Sequence, residues 1–193
     1  MTTNSPDRRV QRTRARLHEA LASLMHEKSY EEVVVKEILG RADVGRSTFY
    51  NHFRSKGELL DSNIRDVLAG GRTLAPTRCS IADEVLESLL RVFQHIEQQL
   101  AAGKRLDDRG QAIVHRRLQQ LLVRRTAEIL ERWPADQRGG GLHLPEEMIP
   151  HFVASTFMVV LQWRLESKAA TASEDASQIL RRLLAPALSN KSS

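Results

Sequence analysis

Along most of the chain apolar residues recur at intervals of three and four, the period of helices that pack by one face. Val10, Leu17, Leu21 and Leu24 form such a stripe and predict a helix over residues 6–28. Ser5 can cap it, and Pro6 sits at the first helical position, where a missing N–H costs nothing. A short helix over 35–42 comes next, with Val35, Ile38 and Leu39 inward. Asp43-Val44-Gly45 reads as a tight turn, and a third helix covers 46–53. Ser55-Lys56-Gly57-Glu58 has the capping-box pattern, so a fourth helix starts there and runs to about residue 69, where Gly70-Gly71 stops it. Longer helices are expected over 81–102, 108–133, 145–168 and 173–188. Residues 134–145, with Gly139-Gly140-Gly141, read as a linker, and the tail from Ser189 as frayed. The β-branched run Val33-Val34-Val35 is too short to found a sheet. The expected fold class is all-α.

One helix departs from the single-stripe pattern. Within 145–168, Met148, Ile149, Phe152, Val153, Phe157, Val159, Val160, Leu161, Trp163 and Leu165 cover most of the circumference. A helix apolar nearly all round must be buried nearly all round. In a chain of 193 residues, part of that cover is expected from a second copy. The last helix offers Ile179, Leu180, Leu183, Leu184 and Leu188, with Arg181 and Arg182 outward.

Composition then removes whole classes of function. Apolar residues at 41% and charged residues at 27% fit a folded globular chain. A single cysteine, Cys79, excludes an internal disulfide and fits a reducing cytoplasm. The first residues lack the apolar stretch of a secretory signal, and the longest apolar run, from Phe157 to Leu161, is too short for a bilayer. His95, His115, His143 and His151 share no metal-ligand spacing. There is no nucleophile elbow, dinucleotide loop or recognisable carboxylate pair, so neither catalysis nor a cofactor is expected. The net charge of +5 is a weak hint of an anionic partner, but its placement is informative. Residues 7–16 hold Arg8, Arg9, Arg12, Arg14 and Arg16 against Asp7 alone, whereas residues 61–193 carry 18 basic and 16 acidic side chains. A basic cluster at one end is the footprint of a phosphate-binding surface; a solvated helix face would look the same.

The neighbouring segment tips the balance toward phosphates. Residues 35–53 have the spacing of a helix-turn-helix. In its second helix Phe49 and Phe53 share a face turned to the core. The opposite face carries Arg46, Ser47, Tyr50 and Asn51, flanked by Thr48 and His52. A guanidinium can bond guanine, a carboxamide adenine, and hydroxyls phosphate or base edges.

The segment Tyr30 to Leu60, YEEVVVKEILGRADVGRSTFYNHFRSKGELL, resembles the N-terminal DNA-binding domain of TetR-type transcriptional regulators, with RSTFYNHFRSKGELL closest to the pattern. The resemblance covers about residues 8–62. It implies that the third helix enters the major groove, that Tyr50 and Lys56 grip phosphate, and that Arg12 or Thr13 on the first helix does so too. The family commonly places Thr or Ser where this chain has Val34, which can neither cap the second helix nor touch phosphate. The arginine-rich arm is expected to compensate. The resemblance further implies a four-helix bundle between the last two helices of two subunits, with Phe152, Val160, Ile179, Leu180, Leu183 and Leu184 in the interface. It implies a ligand pocket among the middle helices, lined by Phe93, His95, Ile96, His115, Leu118, Leu122, Phe157 and Trp163, with Arg91, Gln94 and Gln162 as further polar contacts. A plainly packed core would give the same apolar rows.

The expected organisation is a flexible arm over 1–7, a DNA-binding domain over 8–55, a helical ligand-binding and dimerisation domain over 56–188 and a tail over 189–193. The expected function is a homodimeric regulator, most simply a repressor of a palindromic operator, whose effector removes the match to successive major grooves ~34 Å apart. The alternative is a nucleoid-type protein that binds DNA without sequence choice or ligand.

Overall fold

The elements arise where the chain can bury a face and cap an end. The computed structural model describes residues 5–69, 80–104, 106–134, 144–166 and 172–188, and every regular element among them is helical. These are α1 (Ser5–Glu27), α2 (Val35–Ala42), α3 (Arg46–His52), α4 (Lys56–Ala69), α5 (Ile81–Ala101), α6 (Asp108–Arg132), α7 (Ile149–Glu166) and α8 (Ala172–Leu188), with a 3-10 turn at Glu146–Met148. Gly70-Gly71, Cys79, Gly139-Gly140-Gly141, His143 and the tail lie outside the described residues.

Short polar side chains start several helices. Ser55 Oγ accepts the Glu58 N–H at 3.2 Å, and the Glu58 carboxylate accepts the Arg54 N–H at 2.7 Å. Ser80 and Asp83 cap α5 reciprocally, each side chain accepting the other's backbone N–H at 3.2 Å. Asp107 Oδ1 accepts the Gly110 N–H at 2.8 Å at the start of α6. The largest boundary difference is at α7, which begins at Ile149 rather than 145. Pro150 is the reason: lacking an N–H, it belongs in the first turn of a helix and not in its second. Pro145 instead leads the 3-10 turn.

The chain divides into two compact units, residues 1–65 with 99–114, and residues 66–98 with 115–193. The first unit is built on Leu17, Leu21, Leu24, Val33, Ile38, Phe49, Phe53 and Leu59, all buried, with Val35, Leu39 and Val44 packed at the margin. Val10, expected in the stripe of α1, is exposed. It lies two turns before Leu17, the first buried residue of that stripe. In the second unit Val85, Leu89, Phe93, Leu118, Leu122, Ile129, Ile149, Val153 and Phe157 are buried, and α7 packs along α8. Its margin is tied by Glu84, which accepts bonds from Arg132 and from Trp133 Nε1 (3.1 Å), and by Arg164 to Glu97 at 3.0 Å.

Candidate nucleic-acid interface

A tight turn presents α3. At the end of α2, Asp43 adopts the left-handed conformation (φ 50°, ψ 53°) and the Val44 N–H reaches back to the Leu39 carbonyl at 3.1 Å. Aspartate tolerates that region better than most residues. Its carboxylate is also held by Arg16 at 3.0 Å, which ties the turn to α1. Gly45 then caps α3 with an ordinary φ of −66°.

Phe49 and Phe53 are buried, their ring centroids 6.0 Å apart, and fix one face of α3 to the core of the first unit. The sequence-predicted residues Arg46, Ser47, Tyr50 and Asn51 are all exposed on the other side, with Thr48 and His52 half-buried at its edges. The structure therefore brings the six together on one short helix. It adds a brace that the spacing alone did not reveal. The Arg46 guanidinium lies over the Tyr50 ring, 5.7 Å from its centroid, and the Phe49 ring meets Tyr50 edge to face at 5.3 Å. Tyr50 is 47% exposed yet contacted on two sides.

The start of α2 shows what Val34 leaves undone. Val34 is 52% exposed and makes no side-chain cap. Glu37 supplies half of the missing box, its Oε2 accepting the Val34 N–H at 3.1 Å while Lys28 bonds its other oxygen. The Lys28 bond, then the Val34 N–H, hold the Glu37 carboxyl below the usual carboxylate range. One turn further on, a fork of bonds from Arg41 does the same to Glu27.

The arginines of α1 are not one population. Arg8, Arg9 and Arg12 are exposed, and Arg16 holds Asp43. Arg14 turns inward, donates to Ser62 Oγ at 2.6 Å and lies over the Phe53 ring at 5.6 Å. His18, buried, lies 3.2 Å from the same hydroxyl. Thr13 Oγ1 bonds the Arg9 carbonyl of its own helix at 3.0 Å. The Lys56 ammonium, at the start of α4, is engaged by the carbonyls of Tyr30, Glu31 and Val33.

In the second unit the expected pocket residues separate. Phe93, Leu118, Leu122 and Phe157 are buried in the core, His95 and Ile96 are half-buried, and His115 and Trp163 are exposed. Arg91 donates to Glu87 at 3.0 Å and buries an Nε–H with no acceptor. The expected interface residues separate too. Val160, Leu180 and Leu184 are buried within the chain, so they are not surface for a partner; Phe152 and Ile179 are half-buried and Leu183 is exposed. Among the described residues, the large apolar side chains exposed on these helices are Val159, Trp163, Leu165 and Leu183. No group of three His, Cys, Asp or Glu among the described residues is arranged to hold a metal ion, and no described helix is long and apolar enough to cross a membrane.

Comparison with known proteins matches the helix-turn-helix segment to a family model and most of the chain to solved folds. The family model of bacterial regulatory proteins, tetR family, matches residues 17–62. An uncharacterized HTH-type transcriptional regulator, YxbF, of Bacillus subtilis (strain 168) is 38% identical over 60 residues, which are 31% of this chain and 16% of that protein. Among solved structures, a TetR transcriptional regulator from Streptococcus agalactiae 2603V is 25% identical, with a TM-score of 0.51 over 92% of this chain and 96% of its own. The full-length tetR regulator tylp from Streptomyces fradiae has the same fold at 20% identity, with a TM-score of 0.62 over 94% of this chain and 82% of its own.

Proposed function

From a chain whose residues 17–62 match the tetR family of bacterial regulatory proteins, we propose a homodimeric, sequence-specific DNA-binding regulator of transcription, a repressor relieved by a small-molecule effector. The observation that carries the reading is the face of α3. Four polar side chains with complementary bonding to bases and phosphates stand exposed on a helix whose back is locked by two buried phenylalanines. Arg46 and Asn51 read base edges, Tyr50 and Ser47 bind phosphate or base edges, and Thr48 and His52 serve the rim. Arg12, with Arg8 and Arg9, adds sequence-independent attraction from α1; Thr13 stands beside it with its hydroxyl turned to its own helix.

In this proposal residues 8–55 are the DNA-binding domain, and residues 56–188 bind the effector and dimerise. The apolar side chains left exposed on α7 and α8 support the dimer. The half-buried His95 and the unpaired Nε–H of Arg91, on the same helix as Phe93, support a polar edge for an effector. The cytoplasm is the compartment this reading requires.

Selection from a random-sequence duplex library tests it. A specific regulator enriches a two-fold symmetric site and keeps it against excess unrelated DNA. Enrichment of nothing, or equal competition by unrelated DNA, returns the reading to a nucleoid-type binder.

A further inference from the structure

We propose that His18 is a proton-sensitive lock inside the first unit, the one that presents α3. Neutral, with its hydrogen on Nδ1, it joins α1 to α4, and a proton breaks the joint. His18 and Ser62 are both buried, at 9% and 1% exposure. Ser62 Oγ accepts from the Arg14 guanidinium at 2.6 Å and lies 3.2 Å from His18 Nε2. Both α1 side chains also stand against the ring of Phe53, the C-cap residue of α3. The guanidinium lies 5.6 Å from its centroid and the imidazole 5.9 Å.

Hydrogen counting fixes the state of the imidazole. A serine hydroxyl has one hydrogen to give and two lone pairs, and a guanidinium can only give. Among the described residues, Arg14 and His18 are the partners of Ser62 Oγ, and at 1% exposure the hydroxyl has no bulk water to turn to. Its hydrogen therefore goes to Nε2, which must be bare. An imidazolium reverses that bond. Nε2 becomes a second donor, the buried hydroxyl hydrogen is left without an acceptor, and a second cation stands with Arg14 at the same oxygen.

Other charges bear on the joint less directly. Glu19 follows His18 on α1, and Glu58, Asp61 and Asp66 stand within about a turn of Ser62 on α4. All four favour a cation, but all are half-buried or exposed, where water shares their charge. His52, its ring 6.2 Å from that of Phe53, adds a like charge once it takes a proton. Linkage then gives acid a direction. Unfolded, His18 takes a proton below about pH 6.5; the closed joint refuses it. The unfolded chain binds more protons there, so the lock's contribution is complete above that pH and is lost below it, by up to about tenfold in the folding constant per pH unit. This window lies above the one in which Glu27 and Glu37 lose their bonds.

The test uses the isotope-labelled full chain without DNA, so it stands or falls apart from the DNA-binding reading, which the duplex selection decides. Nitrogen NMR of the imidazoles at about pH 8, above ordinary histidine titration, is expected to show His18 with Nδ1 protonated and Nε2 bare. In Ser62→Ala, where the donated hydrogen is gone, the balance shifts toward Nε2–H. Hydrogen on Nε2 in the wild type overturns the proposal. Urea titrations from about pH 8 to about pH 5, followed on the amide signals of α1 to α4, give the second readout. Below about pH 6.5 the wild type is expected to lose up to about tenfold more of its folding constant per pH unit than His18→Gln. The glutamine oxygen still accepts from Ser62 and takes no proton in that range. His26 and His52 are common to both chains and cancel. Parallel slopes overturn the proposal. So does a wild type that resists acid better than the variant, because the carboxylates of α4 then hold an imidazolium. Should His18→Gln not fold, the wild type decides alone. A His18 imidazolium signal that appears only as the folded amide signals vanish supports the lock, and one that appears within the folded unit overturns it.

Discussion

Tyr50 is exposed without being loose, since Arg46 covers its ring and Phe49 meets it from the core. Substitutions on this face should therefore fall into distinguishable classes. Asn51→Ala is expected to cost roughly 1–3 kcal/mol of discrimination at particular base pairs and to spare binding to random DNA. Tyr50→Ala should weaken all sequences alike. Arg46→Ala should do both, since it removes a base-reading group and the cover on Tyr50. Affinities on a panel of single-base variants of the selected site separate these outcomes. If Asn51→Ala discriminates like the wild type, its assignment falls. The outward set was legible because a 3.6-residue period fixes which side chains oppose two phenylalanines. The pairing of Arg46 with Tyr50 was not, nor was the meeting of Arg14, His18 and Ser62, which joins residues 44 and 48 positions apart. Periodicity carries no information about such distant partners. The acidic residues give a prediction in pH. Glu27 and Glu37 have folded-state pKa values below the usual 4.5. Their contribution to stability is complete above that value and is lost as pH falls through the lower folded-state values. Thermal midpoints of Glu27→Gln and Glu37→Gln should accordingly decline less steeply in acid than those of the wild type. Parallel declines would mean that Arg41 and Lys28 add nothing measurable at this surface.

At the scale of the element, α2 is a helix begun with half a cap. Glu37 covers the Val34 N–H, but the valine side chain returns nothing to the first turn. Val34→Thr should raise stability by about 1 kcal/mol, the usual worth of a side-chain N-cap, and should strengthen binding to every duplex if the hydroxyl also reaches phosphate. A denaturation midpoint that does not move would show that Glu37 already suffices. The last helices show how far an apolar pattern can be read. The sequence offered Ile179, Leu180, Leu183 and Leu184 on α8 without saying which of them face inward. Packing against α7 turns Leu180 and Leu184 in, both at 0% exposure, and leaves Leu183 out at 47%. Likewise Val160 is inside while Val159, its neighbour, is 68% exposed. Helical class and the existence of each element were legible from period and caps. The choice between two equally apolar faces was not, because it depends on the partner helix and not on the helix itself.

For the whole molecule, this sorting changes how a dimer is to be tested. Leu180→Glu and Leu184→Glu place charge in the chain's own core and should unfold the second unit, at a cost of several kcal/mol. Trp163→Glu and Leu183→Glu alter exposed positions and should leave one chain folded. Light scattering should give twice the 21.9 kDa chain mass for the wild type and the single mass for the exposed-site variants, with unchanged helicity. A wild-type monomer at micromolar concentration, or a dimer that survives both exposed-site charges, removes α7 and α8 as the joint. With those exposed apolar side chains as the joint, the dose-response of the regulated gene is set by pairing. Filling both half-sites requires two chains to have met. Below the dimer's dissociation constant, paired chains grow as the square of chain abundance. Halving synthesis then cuts the paired chains, and with them the occupancy of an unsaturated operator, about fourfold, and diluting the chain at cell division acts on the promoter as an input beside any effector.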